Sequence, residues 1–128
     1  GVADTIGVGT PIKVRRALEA TLLHYAIDDV SGHFHDTYGQ ALANTLAFLE
    51  LGVWQFDTSI SGLGGCPYAK GATGNVATED VVYLLHGMGI ATGIDMDKLL
   101  DAGMFINEFL QRKSGSRAAR ALLSKRTN

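Results

Sequence analysis

The stretch that decides the fold opens with Val30-Ser31-Gly32-His33-Phe34-His35, runs through Tyr38 to Leu51, and ends with Val53-Trp54-Gln55-Phe56-Asp57-Thr58. Its first six residues are short, partly β-branched and bounded by turn formers, which reads as a strand. Residues 38–51 follow as a helix that stops at Gly52, where the absence of a Cβ lets the chain turn left-handed. Residues 53–58 then form a second strand. Strand, helix, strand is the repeat of a parallel sheet rather than an antiparallel one.

The same alternation extends in both directions. Upstream, Thr10 before Pro11 is a good helix start, since Pro at the first helical position loses no needed hydrogen bond, and Ile12, Val14, Leu18, Leu22 and Leu23 recur near helical spacing. This predicts a helix to about Tyr25, with Asp28 and Asp29 breaking the pattern. Asp4-Thr5-Ile6-Gly7 reads as the exit of a further strand. Downstream, Thr78 with Glu79 and Asp80 facing the positive end of the helix dipole opens a helix to about His86, ended by Gly87 and Gly89. Asp95 caps another helix through Arg112.

Three βα units in 128 residues are about half of a barrel that typically needs ~250 residues. The expected fold is α/β, with parallel βα units over residues 1–93 forming the carboxyl-terminal part of a TIM barrel, incomplete at its amino end. An additional helix over residues 94–113 and a basic helical or frayed tail over residues 114–128 follow. A small doubly wound domain is the competing architecture, but it would begin with a whole strand and carry its glycine loop at the first turn.

Composition narrows the function. With 46% hydrophobic and 19% charged residues the chain is ordinary globular material, and its net charge of -2 is not that of a nucleic-acid binder. Six basic residues and no acid lie between Arg112 and Asn128, leaving 5 basic and 13 acidic residues, net -8, in the rest. No aromatic residue is interleaved with those charges, which favours a solvated helix or frayed end over an anion-binding arm. One cysteine, Cys66, allows no internal disulfide, and no 18-residue apolar run or signal-like start is present. A reducing compartment without membrane insertion is expected.

Two features carry candidate chemistry. His33 and His35 stand at i and i+2 of the predicted strand, so both imidazoles point one way while Phe34 points the other. The alternative is a chance pairing of strand-end histidines. Position favours a metal site, because functional groups of α/β enzymes gather at the carboxyl ends of parallel strands and Asp36 follows at once. Nitrogen ligands alone suit zinc or iron, whereas added amide and carboxylate oxygens admit Mg²⁺ or Mn²⁺. The second feature is glycine: 16 in the chain, five of them between Gly62 and Asn75. Ser61-Gly62-Leu63-Gly64-Gly65-Cys66-Pro67-Tyr68-Ala69-Lys70-Gly71-Ala72-Thr73-Gly74-Asn75 is too long for a connection, since compact domains favour ~4–6 residues. It reads as a mobile active-site loop, against a ligand-free Ω-loop; the order of a phosphate loop is absent. A lone thiol there, with Asn75 near a helix start, suits a proton donor or nucleophile, although a single Cys is more often incidental. His24 and His86 read as structural or surface residues, and Met88, Met96 and Met104 as packing residues.

Together, SGHFHDTYGQALANTL (Ser31 to Leu46), SGLGGCPYAKGATGN (Ser61 to Asn75), TEDVVYLLHGMGI (Thr78 to Ile90) and ADTIGVGTP (Ala3 to Pro11) resemble the hydroxymethylglutaryl-CoA lyase family of metal-dependent TIM barrels. The resemblance implies cleavage of 3-hydroxy-3-methylglutaryl-CoA to acetoacetate and acetyl-CoA with Mg²⁺ or Mn²⁺. It implies His33, His35 and Asn75 as metal ligands, a proton-transfer role for His33, Cys66 as the catalytic thiol, and Asp4 as an active-site carboxylate. It also implies an acyl-CoA substrate, a homodimer at full length, no nucleic-acid or membrane partner, and the bacterial cytoplasm or mitochondrial matrix. The family's Arg-Asp pair belongs to a first strand that these residues do not include. The expectation is therefore that this piece is inactive alone and completed by the amino-terminal half of the barrel. Alternatives are a condensing enzyme of the same group, acting on acetyl-CoA and a 2-oxo acid, which lacks the cysteine loop, and a non-catalytic fragment.

Overall fold

The computed structural model describes residues 1–65 and 74–126. Within them the chain runs β1 (Val2–Asp4), α1 (Pro11–Leu22), β2 (Gly32–Phe34), α2 (Ala41–Glu50), β3 (Phe56–Asp57), α3 (Thr78–Gly87), α4 (Met96–Leu110) and α5 (Arg117–Arg126). Short 3-10 turns occupy Ile27–Asp29 and Ile60–Gly62. The three strands form one sheet in chain order, all parallel. This is the expected succession of βα units.

Pleat and register set which side chains share a face. Ala3 lies opposite His33 and His33 opposite Asp57, while Asp4 lies opposite Phe34 and Gly32 opposite Phe56. Residues on one rung of a parallel sheet point the same way. Phe34, 1% exposed, points to the helix layer and meets Phe48 of α2 edge to face at 4.9 Å. Val14 and Leu18 of α1, Ala41 and Ala47 of α2, and Val30, Val53 and Val76 complete the core around this aromatic pair. His33 and Asp57 therefore belong to the other face, which carries no helix layer among the described residues.

β2 and β3 are shorter than their sequence patterns, and β1 lies at Val2–Asp4 rather than running out through Thr5-Ile6-Gly7, where the Gly7 amide turns back to the carbonyl of Asp4 at 3.2 Å. Val30 closes the 3-10 turn by donating to the carbonyl of Ile27 at 3.1 Å, and His35 leaves the parallel ladder to bridge Asn75 antiparallel. Val53 donates back to the carbonyl of Phe48 at 3.0 Å, which spends the start of the third predicted strand on closing α2. α1 ends at Leu22 rather than near Tyr25, and Leu23, His24 and Tyr25 form an exposed turn. Thr10 has extended backbone before Pro11, but its hydroxyl makes no cap hydrogen bond. Asp95 caps α4 as expected, accepting from the Lys98 amide at 3.2 Å. That helix stops at Leu110, where Gln111 turns left-handed with φ 52°.

The basic terminal stretch, expected as a solvated helix or frayed end, forms a docked helix. Asp80 of α3 accepts from Ser116 Oγ at 2.7 Å and from the Ala118 amide at 2.9 Å. A carboxylate from another helix thereby caps α5, satisfying donors that otherwise lack a partner. Ser116 and Ala119 are buried there. At the far end Arg126 bonds Asp101 at 2.7 Å and Asp97 at 3.0 Å, contacts that raise its already high pKa, chiefly through Asp101. Among the described residues no helix is long and apolar enough to cross a membrane.

Candidate metal and active site

The strand alternation that buries Phe34 brings the two histidines together. Their rings stack with centroids 5.6 Å apart, His35 nearly buried and His33 about one-third exposed. Asn75 joins them through the backbone: it bridges His35, while Val76 donates to the carbonyl of Phe34 at 3.0 Å and Asp36 to that of Gly74 at 3.3 Å. The Asn75 amide nitrogen bonds the carbonyl of Leu63 at 3.4 Å. Its Oδ1 is buried and lacks a protein partner. An orphaned buried oxygen on the residue bridged to His35, taken with the two stacked imidazoles, is a donor set that fits a divalent cation, since buried polar atoms are ordinarily satisfied and imidazole with amide oxygen is suitable ligand chemistry. Among the described residues no three His, Cys, Asp or Glu side chains converge, so the set is two imidazoles and one amide.

The other predicted site residues lie differently. Asp4 sits on the rung of Phe34, not that of His33. Its carboxylate accepts the amides of Gly9 at 2.8 Å and Val8 at 3.2 Å, so it shapes the β1–α1 loop. Cys66 lies outside the described residues.

The glycine-rich segment is anchored where it is described. Gly62 and Gly64 have positive φ, 68° and 96°. A Cβ on Gly74 would overlap the carbonyl of Gly62, so the two ends of the segment approach within a distance only glycine allows. Beneath this closure Ser61, fully buried, is held in the left-handed region at φ 56°. Its amide donates to both side-chain oxygens of Glu79 at 2.9 and 3.0 Å, its hydroxyl accepts from Asn107 Nδ2 at 2.8 Å, and its carbonyl accepts from the Gly115 amide at 2.9 Å. Glu79 is itself fully buried. The sequence suggested only that Glu79 would complement a helix dipole; its position four residues after Asn75 was the available signal.

Asp57 was also missed. Its Oδ2 lies 3.0 Å from His33 Nδ1, on the adjacent strand. An acid at the same depth in the strand after H-x-H could have pointed to it.

A family model described as HMGL-like matches residues 1–106. The chain belongs to this family. A relative from Pseudomonas aeruginosa, 3-hydroxy-3-isohexenylglutaryl-CoA/hydroxy-methylglutaryl-CoA lyase, is 59% identical over 124 residues, covering 97% of this chain and 41% of its own length. The crystal structure of hydroxymethylglutaryl-CoA lyase from P. aeruginosa superposes with a TM-score of 0.92, covering 96% of this chain and 41% of that one. An HMG-CoA lyase from Acinetobacter baumannii, solved with coenzyme A and 3-methylmalate, is 39% identical with a TM-score of 0.87, covering 93% and 39%. This HMGL-like chain thus spans about 40% of the length of the relatives it matches, and its parallel sheet with attached helices is part of their barrel.

Proposed function

We propose that this HMGL-like chain supplies the metal-binding side of a carbon–carbon lyase that cleaves 3-hydroxy-3-methylglutaryl-CoA to acetoacetate and acetyl-CoA. The supporting observation is the stacked His33/His35 pair together with the buried, unpartnered Oδ1 of Asn75, whose backbone bridges His35. These three residues would hold Mg²⁺ or Mn²⁺. Such an ion supplies Lewis acidity and a template for a substrate hydroxyl and carboxylate.

Cleavage removes the proton of the tertiary hydroxyl, breaks the adjacent carbon–carbon bond and leaves the enolate of acetyl-CoA, which is then protonated at carbon. His33, the more exposed imidazole, would help hold the cation at the hydroxyl and so ease loss of its proton to a base supplied by the amino-terminal part of the barrel, and Cys66 delivers a proton to the enolate. Asp4 contributes by fixing the β1–α1 loop. A cavity of about 310 Å³ beside Asn75 is lined by Arg112, Arg117 and Arg120, none of which forms an ion pair with a described residue, and by Asp36 and Asp80, whose carboxylates are engaged by the Ala41 amide and by Ser116 and Ala118. Free guanidinium groups there suit the phosphates of an acyl-CoA. A homodimer, and the bacterial cytoplasm or mitochondrial matrix, complete the proposal.

The test uses the protein as its gene encodes it. Chelation should abolish lyase activity and Mn²⁺ restore it, and Asn75→Ala should weaken Mn²⁺ binding at least about tenfold, read by electron paramagnetic resonance. Turnover indifferent to chelation, or unaltered Mn²⁺ affinity in Asn75→Ala, would overturn the reading. In the same assay residues 1–128 alone should be inactive, because the metal carboxylate and base that the family resemblance assigns to a first strand are not among them and the outer edge of β1 is unpaired among the described residues.

A further inference from the structure

We propose that Asp57 is the positioning residue of His33, fixing which imidazole nitrogen is available to a cation; this rests on the metal reading above. The two residues share a rung of the β2–β3 ladder, so the backbone itself sets their approach. Asp57 Oδ2 lies 3.0 Å from Nδ1 of His33. A carboxylate only accepts, so Nδ1 carries the proton and donates, leaving Nε2 with the free lone pair. Stacking against His35 with the rings 29° from parallel restricts the imidazole further. Asp57 makes no other side-chain hydrogen bond or ion pair with a described residue.

The competing view is an incidental surface pair, since exposed ion pairs contribute little to stability and the Asp57 side chain is 61% exposed. Three things argue against it: the fixed ladder register, the choice of Nδ1 rather than Nε2, and the location beside the only stacked imidazole pair among the described residues. Carboxylate partners of metal-bound histidines typically change affinity by about 10–100-fold when removed.

The test compares Asp57→Ala, Asp57→Asn and Asn75→Ala in the protein as its gene encodes it, with Mn²⁺ as the probe. Asp57→Ala should weaken Mn²⁺ binding about 10–100-fold with thermal stability nearly unchanged. Asp57→Asn, which keeps a carbonyl acceptor, should recover part of that loss. In ¹⁵N-histidine spectra of the metal-free protein, His33 should be protonated at Nδ1 and should lose that preference in Asp57→Ala. Unchanged affinity and unchanged tautomer in Asp57→Ala, with Asn75→Ala impaired, would overturn the positioning role and leave the metal reading standing. Unchanged affinity in all three variants would overturn both.

Discussion

Replacing Glu79 tests how the glycine-rich segment is held. Ser61 is an L-residue in the left-handed region, a conformation that costs roughly 1–2 kcal/mol, and it is kept there by two hydrogen bonds from its amide to Glu79 at 2.9 and 3.0 Å. Glu79→Ala leaves a buried N–H unpaired, about 1–3 kcal/mol, and removes one buried methylene, about 0.8 kcal/mol. The expected loss is about 2–4 kcal/mol. Glu79→Gln keeps one acceptor for the Ser61 amide and should cost about 1 kcal/mol. Urea unfolding gives the global value, and hydrogen exchange of peptides spanning Ser61 gives the local one, where a loss of ~3 kcal/mol speeds exchange about 100-fold. Ser59 and Thr78 tie this turn to the strand end holding Asn75: Ser59 donates to the carbonyl of Val76 at 3.0 Å, and Thr78 to that of Ser59 at 2.9 Å. Mn²⁺ affinity should therefore fall as well in Glu79→Ala. Stability within about 0.5 kcal/mol of the parent, with unaltered exchange at Ser61, would refute the reasoning.

Gly103→Ala should destabilise by about 1–2 kcal/mol although alanine is the better helix former by ~1 kcal/mol. The added Cβ would stand 3.1 Å from Ser61 Oγ and 3.2 Å from Glu79 Oε2, both already pinned by hydrogen bonds; a rise in urea midpoint would contradict this. Phe48→Ala should cost about 3–5 kcal/mol, because the ring is fully buried and loses its edge-to-face contact with Phe34. A loss below about 1 kcal/mol in the same unfolding assay would mean that α2 does not anchor the core.

Much of the fold was legible because it rests on short-range patterns. The Gly52 stop and Asp95 cap each satisfy backbone groups within a few residues, and the period-two alternation at His33-Phe34-His35 needs only the pleat. What the sequence hid was long-range. Nothing local says that Asp80 caps a helix beginning at Arg117, so the basic stretch looked solvated. Strand ends depend on which partner takes each amide, and the return of Val53 to Phe48 cannot be read from β-branching. The same holds at the site. The H-x-H pair and Asn75 announce themselves by residue type, whereas the Asp57–His33 contact exists only once the ladder register is known.

Register also explains why this strand can carry both a core and a site. The helix-facing side of β2 is full: a Cβ at Gly32 would stand 2.8 Å from the ring of Phe34 and 3.0 Å from that of Phe56. Phe34 is in turn locked against Phe48. A slip of one residue would drive His33 and His35 into the helix layer and expose Phe34, a change opposed by the loss of the aromatic pair and by burial of two imidazoles. The packing that stabilises one face therefore fixes the direction of the donors on the other. Side chains placed by a locked strand reorganise less on binding a cation than side chains on a free loop. Of the three proposed ligands, His33 and His35 gain that rigidity from β2, and Asn75 gains it through its bridge to His35.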